Sequence, residues 1–473
     1  MNHFAVMGLV AGLGAALARA EEPFEGLRVV QLGPVGHPAL RVDLVIVGEG
    51  YIAEDFRPQG KWEIDSARLV KNFFEKLPFK TLRNLFNVHL VEVHSQDRGA
   101  EDRPGVNLKR TAFNATYGVS GIDRLLVCQD EKAVVKAARN GPDVDMILVL
   151  VNDNRFGGSG GEHDDIPLSV CSTQATAFEI AIHELGHSFG GLADEYVDEP
   201  IADTYPLPRE GDFPEPNVTL AKLVDTSTPE RLRETLKWGH YLEEAGAAKK
   251  YGKGYYEGAY YRSKGVYRPA VACAMGSQGG TGGFCFVCNA ELTRTIHRTA
   301  GRGPAGGVFP AEITRLGGKL RRPYFLYSQG LFNRALVDLD RLEGTGKLTE
   351  EERKGVIILR KGVEVSFEGE RKRIQEARSA GDILRARERL DLLELSFRST
   401  PFDARAAEIK KAITSEPGFK KELGAAKEFL VLEWGGKALP PTGPQRQAWR
   451  KRLQAFLRKF DGTQAAERGK KLP

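Results

Sequence analysis

Five cysteines, four methionines and four tryptophans are spread over 473 residues. So few cysteines exclude a disulfide-framed scaffold, and an odd number cannot pair completely within one chain. Cys285-Phe-Val-Cys288 has no second Cys-x-x-Cys with which to build a four-thiolate zinc site. Cys273, Cys285 and Cys288 are therefore either disulfide candidates or buried free thiols. An excess of either charge is also missing: 68 Lys and Arg face 63 Asp and Glu, for a net charge of +5. That balance gives no basic footprint for a nucleic acid. After the first twenty residues no run is long and apolar enough to span a bilayer, so no transmembrane span is expected. Gly157-Gly-Ser-Gly-Gly161 lacks the Lys and Ser/Thr of a phosphate-binding loop. It reads as a mobile loop, with the rim of a substrate cleft as the alternative.

What is present begins at the N-terminus. An apolar run from Phe4 to Leu17 leads into Ala18-Arg19-Ala20, a small-x-small cleavage pattern. Gly8, Gly12 and Gly14 make this run a poor buried helix. Residues 1–20 are expected to be a signal peptide, and the protein to be exported, either secreted or periplasmic.

Residues 27–170 read as α/β. Apolar runs at Val42–Val47, Val88–Val93 and Met146–Val151 predict strands, and Ser66–Leu77 and Lys132–Arg139 predict helices between them. Residues 198–270 are rich in Pro, Gly and Tyr and predict long functional loops, with a short helix around Pro229–Lys237. Gly301–Gly307 is a linker signal. Beyond it the chain turns helical and charged. Phe332, Ala335, Leu339 and Leu342 form one apolar stripe, and Ile383, Ala386, Leu390, Leu393 and Phe397 another. Thr349 with Glu352 forms a capping box. The expected division is a leader at 1–20, a catalytic α/β domain at 21–305, a linker at 306–317 and a helical domain at 318–473. That last domain is either helical-repeat-like or a small bundle.

The chemistry concentrates in Ala181-Ile-His-Glu-Leu-Gly-His-Ser-Phe-Gly190. Phe178, Ile182, Leu185 and Phe189 recur at helical spacing and should face the core. His183 and His187 then project from one side, one turn apart, and two such imidazoles can share one Zn2+. Glu184 stands beside the metal, placed to take a proton from its bound water. Gly190 can take a left-handed conformation, end the helix and turn the chain back. Asp194 is the next candidate ligand, eleven residues after His183, and Glu195 beside it is the alternative. Glu162, Asp164 and Asp165 are candidate Ca2+ oxygens, although such acidic loops are ordinarily only solvated. His163 reads as a surface residue, and Asn114 and Asn217 match glycosylation acceptors.

The run from His183 to Tyr196 resembles the signature of the IgA-peptidase family of zinc metallopeptidases, within the metzincin-like group. Asn152–Gly158, Glu257–Tyr261, Gly265–Pro269, Cys273–Met275 and Phe284–Cys288 are similar to further segments of that family, in the same order. The resemblance spans about residues 40–300 and does not reach the C-terminal helices. It implies a metzincin-like catalytic domain, a polypeptide substrate and one catalytic Zn2+. It further implies Met275 as the apolar Met-turn residue under the ligands and Tyr267 as a stabiliser of the oxyanion. One departure stands out. The usual spacing puts the third ligand ten residues after the first His, at Ala193, which cannot bind metal; Asp194 requires a loop one residue longer.

The expected function is hydrolysis of peptide bonds with Glu184 as general base. One alternative is a binding or scaffold protein with a structural or inactive zinc site and a protein partner on its C-terminal helices. Another is a zinc hydrolase of a non-protein amide, such as a cell-wall peptide.

Overall fold

The computed structural model describes residues 27–472 apart from 34–35, 142, 244–246, 277–282, 303–317, 438 and 440–441. The expected leader and linker lie outside the described residues.

The central sheet has six strands. These are β1 (Arg28–Leu32), β2 (Val42–Glu49), β3 (Phe86–Glu92), β6 (Met146–Val151), β7 (Gly158–His163) and β8 (Ile166–Ser172), in the order β1-β3-β2-β6-β8-β7. The inner four run parallel, and β1 and β7 close the two edges antiparallel. Every residue of β2, β3 and β6 is buried, as expected of Val-, Ile- and Leu-rich strands covered on both faces. Successive side chains enter opposite cores. Leu44, Ile46 and Leu148 meet helices α1 (Lys61–Glu75) and α3 (Phe178–Ser188). Val45, Val47 and Val149 meet α2 (Glu131–Ala138) and the small ladder β4 (Ala115–Thr116) with β5 (Val127–Cys128).

Residues 158–163 correct the reading of the glycine cluster as a loop: they are the edge strand β7. Glycine favours strands poorly, but six residue pairs with β8 hold the segment in place. Asp164 and Asp165 form the connecting turn, with φ of 54° and 59°, the backbone of a two-residue hairpin. Of the Ca2+ candidates, Glu162 thus lies in β7 and Asp164 and Asp165 make its turn. Asp164 pairs with Arg139 at 3.0 Å, and His163 lies 3.3 Å from Glu131. Among the described residues no metal-binding group includes them.

The expected loop region holds short helices α4 (Glu199–Ala202), α5 (Pro229–Thr235) and α6 (Ala247–Tyr251), and a second sheet. That sheet orders β10 (Tyr256–Ala259), β11 (Arg262–Arg268) and β9 (Thr219–Leu220). Helix α7 (Phe286–Thr299) follows. Between Arg321 and Gly469 the described residues are mainly helical, and both apolar stripes, Ala386 apart, contribute to a common core. The Thr349–Glu352 capping box forms at the start of Glu350–Ser379. These helices lie against the sheet: Arg41 pairs with Glu388 and His37 with Asp382, each at 2.8 Å, and Trp434 packs edge-on to His89 at 5.1 Å. No helix of the described residues is long and apolar enough to cross a membrane.

Polar groups cluster where β2 and β3 meet that helical layer. Asn87 donates to Asp43 Oδ1 at 2.9 Å, and Asp145 Oδ2 accepts from Asp43 N at 2.7 Å. Burial, with the charge of Asp43 adding to it, raises the Asp145 carboxyl from 3.8 to about 7. The native state therefore keeps a proton that the unfolded chain releases, and stability falls as pH rises from about 4 to about 7. Asp145→Asn keeps the acceptor without the charge. Its melting temperature should exceed that of the unsubstituted protein by more at pH 8 than at pH 4.5; an equal gap at both would contradict the assignment.

Candidate metal centre

Helix α3 buries Phe178, Ile182, Leu185 and Phe189, as their spacing requires, and so fixes the direction of the histidines. His183 and His187 sit one turn apart with Nε2 atoms 3.2 Å from each other. The helix ends one residue later than expected. Gly191, not Gly190, takes the left-handed conformation, with φ of 61°. Gly190 is needed for space instead, since a Cβ there would stand 2.6 Å from the Gly186 carbonyl oxygen. This extra residue lengthens the loop and answers the misfit at Ala193. The reversed chain brings Asp194 Oδ1 to 3.1 Å from His183 Nε2 and 3.2 Å from His187 Nε2.

The far side of each ring decides its proton. His183 Nδ1 lies 2.9 Å from the Ala274 carbonyl oxygen, and His187 Nδ1 lies 2.7 Å from that of Leu192. A carbonyl can only accept, so both Nδ1 atoms carry hydrogen. The neutral rings then turn their Nε2 lone pairs toward one another and toward a carboxylate oxygen. Three electron-rich atoms at this spacing need a positive charge between them. Ligands bound tetrahedrally at about 2.1 Å stand about 3.4 Å apart, close to what is seen. Burial lowers the His187 pKa, but the hydrogen bond and charge of Asp194 outweigh it and hold the ring up at about 9. Burial would likewise raise the Asp194 carboxyl, yet the two imidazoles keep it well below the usual carboxylate range.

Glu184, the residue after His183, is half-buried against β7. A Cβ at Gly160 would stand 2.2 Å from the Glu184 Cβ, so only glycine lets the edge strand pass this close. Met275 is fully buried beneath α3, where a Cβ at Gly186 would come within 2.3 Å of its sulfur.

The two remaining candidates have other neighbours. Glu195 turns away from the imidazoles, and its carboxylate lies with Cys273, Cys285 and Cys288. Tyr267 pairs with Glu257 and Thr219 in the second sheet and packs its ring on Tyr255 at 5.5 Å. The tyrosine that meets the triad is Tyr261, whose hydroxyl donates to Asp194 Oδ2. It sits with Tyr260 in the β10–β11 turn, at φ of 67° and 51°. Asn-Gly is the usual choice for such a turn, so two tyrosines there store backbone strain. Tyr260 N also donates to the Asp194 carbonyl at 3.0 Å. Asn217, a formal glycosylation acceptor, is fully buried; it holds both backbone groups of Ala193 at 2.8 Å. The sequence signal for Tyr261 was the pair of tyrosines closing Glu257–Tyr261; Asn217 left none.

Gly160→Ala should push β7 from α3 and lower stability by about 1–3 kcal/mol. Gly161→Ala, whose methyl meets open space, should stay within about 0.5 kcal/mol. Urea midpoints measure both, and equal values would contradict the close approach.

Residues 30–249 match the family model described as IgA Peptidase M64. No curated protein matches the chain. The matched segment holds the central sheet from Val30 of β1 onward, α3 and Asp194, and stops before Tyr261, Met275 and α7. Over residues 30–249 the chain is matched by the IgA peptidase M64 family, and that match supports a metallopeptidase.

Proposed function

We propose that this protein is an exported, zinc-dependent endopeptidase of metzincin-like build, with His183, His187 and Asp194 holding the metal and Glu184 acting as general base. The observation that carries this reading is the convergence of two Nε2 atoms and one carboxylate oxygen within 3.2 Å, with both Nδ1 atoms committed to carbonyls. Two imidazoles and one carboxylate are an ordinary donor set for catalytic zinc and leave a fourth position open. When bound, Zn2+ supplies Lewis acidity to a carbonyl oxygen and makes water more acidic.

The protein's own groups do the rest. Glu184 follows the first ligand on the helix and takes a proton from the attacking water, then returns it to the leaving amine. The Ala274 and Leu192 carbonyls fix the tautomer and aim of the rings. Tyr261 orients Asp194. Met275 supplies an apolar floor in the manner of a Met-turn. The outer edge of β7 beyond Gly158 pairs with no strand among the described residues and runs beside Glu184, which suits an extended polypeptide. The N-terminal apolar run and its small-residue site support export. A scaffold with a closed zinc site at these histidines would need a fourth protein donor there, whereas the group of His183, His187 and Asp194 has three among the described residues.

Purified Glu184→Gln should keep the metal held by the triad and lose about 10²–10⁴-fold in turnover of a casein-derived peptide, and His187→Ala should lose both the turnover and the triad's metal. Full turnover by Glu184→Gln would defeat the assignment. Cleavage of peptidoglycan fragments but not of the peptide would favour the cell-wall alternative. Tyr261→Phe should bind zinc about 10–100-fold more weakly in a chelator competition; unchanged affinity would remove Tyr261 from the site.

A further inference from the structure

The second cluster is built as closely as the first. Cys273 precedes the turn Ala274–Gly276, Cys285 caps the N-terminus of α7, and Cys288 lies one turn into that helix. The four side chains of Glu195, Cys273, Cys285 and Cys288 are buried, with ligand atoms within 4.8 Å of one another. Cys273 Sγ and Cys288 Sγ are 3.7 Å apart. Glu195 Oε1 lies 3.1 Å from Cys288 Sγ and 3.7 Å from Cys285 Sγ.

These distances do not describe a disulfide, whose sulfurs stand about 2.05 Å apart, and all five cysteines are free. They match a tetrahedral zinc centre. Zn–S bonds of about 2.3 Å put sulfurs about 3.8 Å apart, and a carboxylate oxygen in the fourth position stands about 3.5 Å from each sulfur. The surroundings suit anionic ligands. Cys285 N donates to Cys273 Sγ at 3.2 Å, and Asn217 Nδ2 donates to Glu195 Oε1 at 2.9 Å. The positive end of α7, a helix of fourteen residues, also faces the cluster. Glu195 Oε2 is buried and has no hydrogen-bond partner, a costly state for a carboxylate among thiols.

We infer that Cys273, Cys285, Cys288 and Glu195 form a second, structural zinc site, closed by four protein ligands. The missing second Cys-x-x-Cys is replaced by one distant cysteine and one glutamate. The site joins three segments around the triad: Glu195 follows Asp194 directly, Cys273 stands two residues before Met275, and α7 packs behind both. Glu195 N also donates to the Met275 carbonyl at 2.7 Å, tying two of these segments together. This inference does not depend on the proposed catalysis, because its ligands are separate.

Cobalt distinguishes the two sites. The histidine–aspartate triad offers no sulfur, so only the cysteine cluster can give thiolate-to-cobalt charge-transfer absorption in the near ultraviolet. The reduced full-length protein loaded with Co2+ should show that band. The same band should persist in His183→Ala/His187→Ala, even if that variant has no activity. Glu195→Gln should keep the band and weaken Co2+ binding at least about tenfold. Absence of the band from the unsubstituted protein with its thiols reduced would overturn the inference. So would mass spectrometry of unreduced protein showing a disulfide among Cys273, Cys285 and Cys288.

Discussion

Two carbonyl oxygens, those of Ala274 and Leu192, hold the site in its working form. Each takes the Nδ1 proton of a histidine and leaves the opposite nitrogen with a bare lone pair. Helix α3 supplies the spacing of the rings, but spacing alone would allow either tautomer and many rotations. The carbonyls remove that freedom. They come from different places: Leu192 from the reversal just after the helix, Ala274 from a turn more than eighty residues on. The site therefore exists only once the chain has folded around it.

Asp194 and Glu195 show how tightly the region is organised. Adjacent carboxylates face different groups, one toward two imidazoles and the other toward three thiols. A residue lost between His187 and Asp194 would bring Glu195 to the imidazoles and Tyr196 to the thiols, and one inserted would bring Ala193 to the imidazoles. Several contacts guard this register. Asn217 clamps Ala193 through both backbone groups, Tyr260 N holds the Asp194 carbonyl, and Glu195 N holds that of Met275. The strained Tyr260–Tyr261 turn belongs to the same set, since it presents both a main-chain and a side-chain donor to Asp194.

Much of this was legible before any coordinates. The histidine pair, Glu184 and the apolar face of α3 follow from helical periodicity, which is local. The buried strands follow from unbroken apolar runs, and β6 coincides with the predicted Met146–Val151. The C-terminal helices follow from their 3–4 spacing. What could not be read depends on partners distant in the chain. β7 looks like a loop because its glycines carry no strand preference, and only β8 and the close passage of Glu184 explain them. Whether Gly190 or Gly191 reverses the chain depends on the packing of Leu292 against Gly190. Tyr261 and Tyr267 are alike in sequence, and only the hairpin's turn tells which hydroxyl meets Asp194. The cysteine cluster lacked an obvious fourth donor because that donor lies ninety residues away from Cys285.

Trp434 carries a different consequence. Helix α2 has eight residues and cannot cover the second face of a six-stranded sheet by itself. Over β3 the roof is supplied by the Phe419–Lys437 helix, whose indole lies on His89. Asp43 and His89 beneath it have no exposed surface at all. A chain cut after α7 would flood these groups with water and leave a polar hole in the floor of the peptidase half. The tail is thus part of that half's waterproofing, and the two regions should melt together rather than in turn.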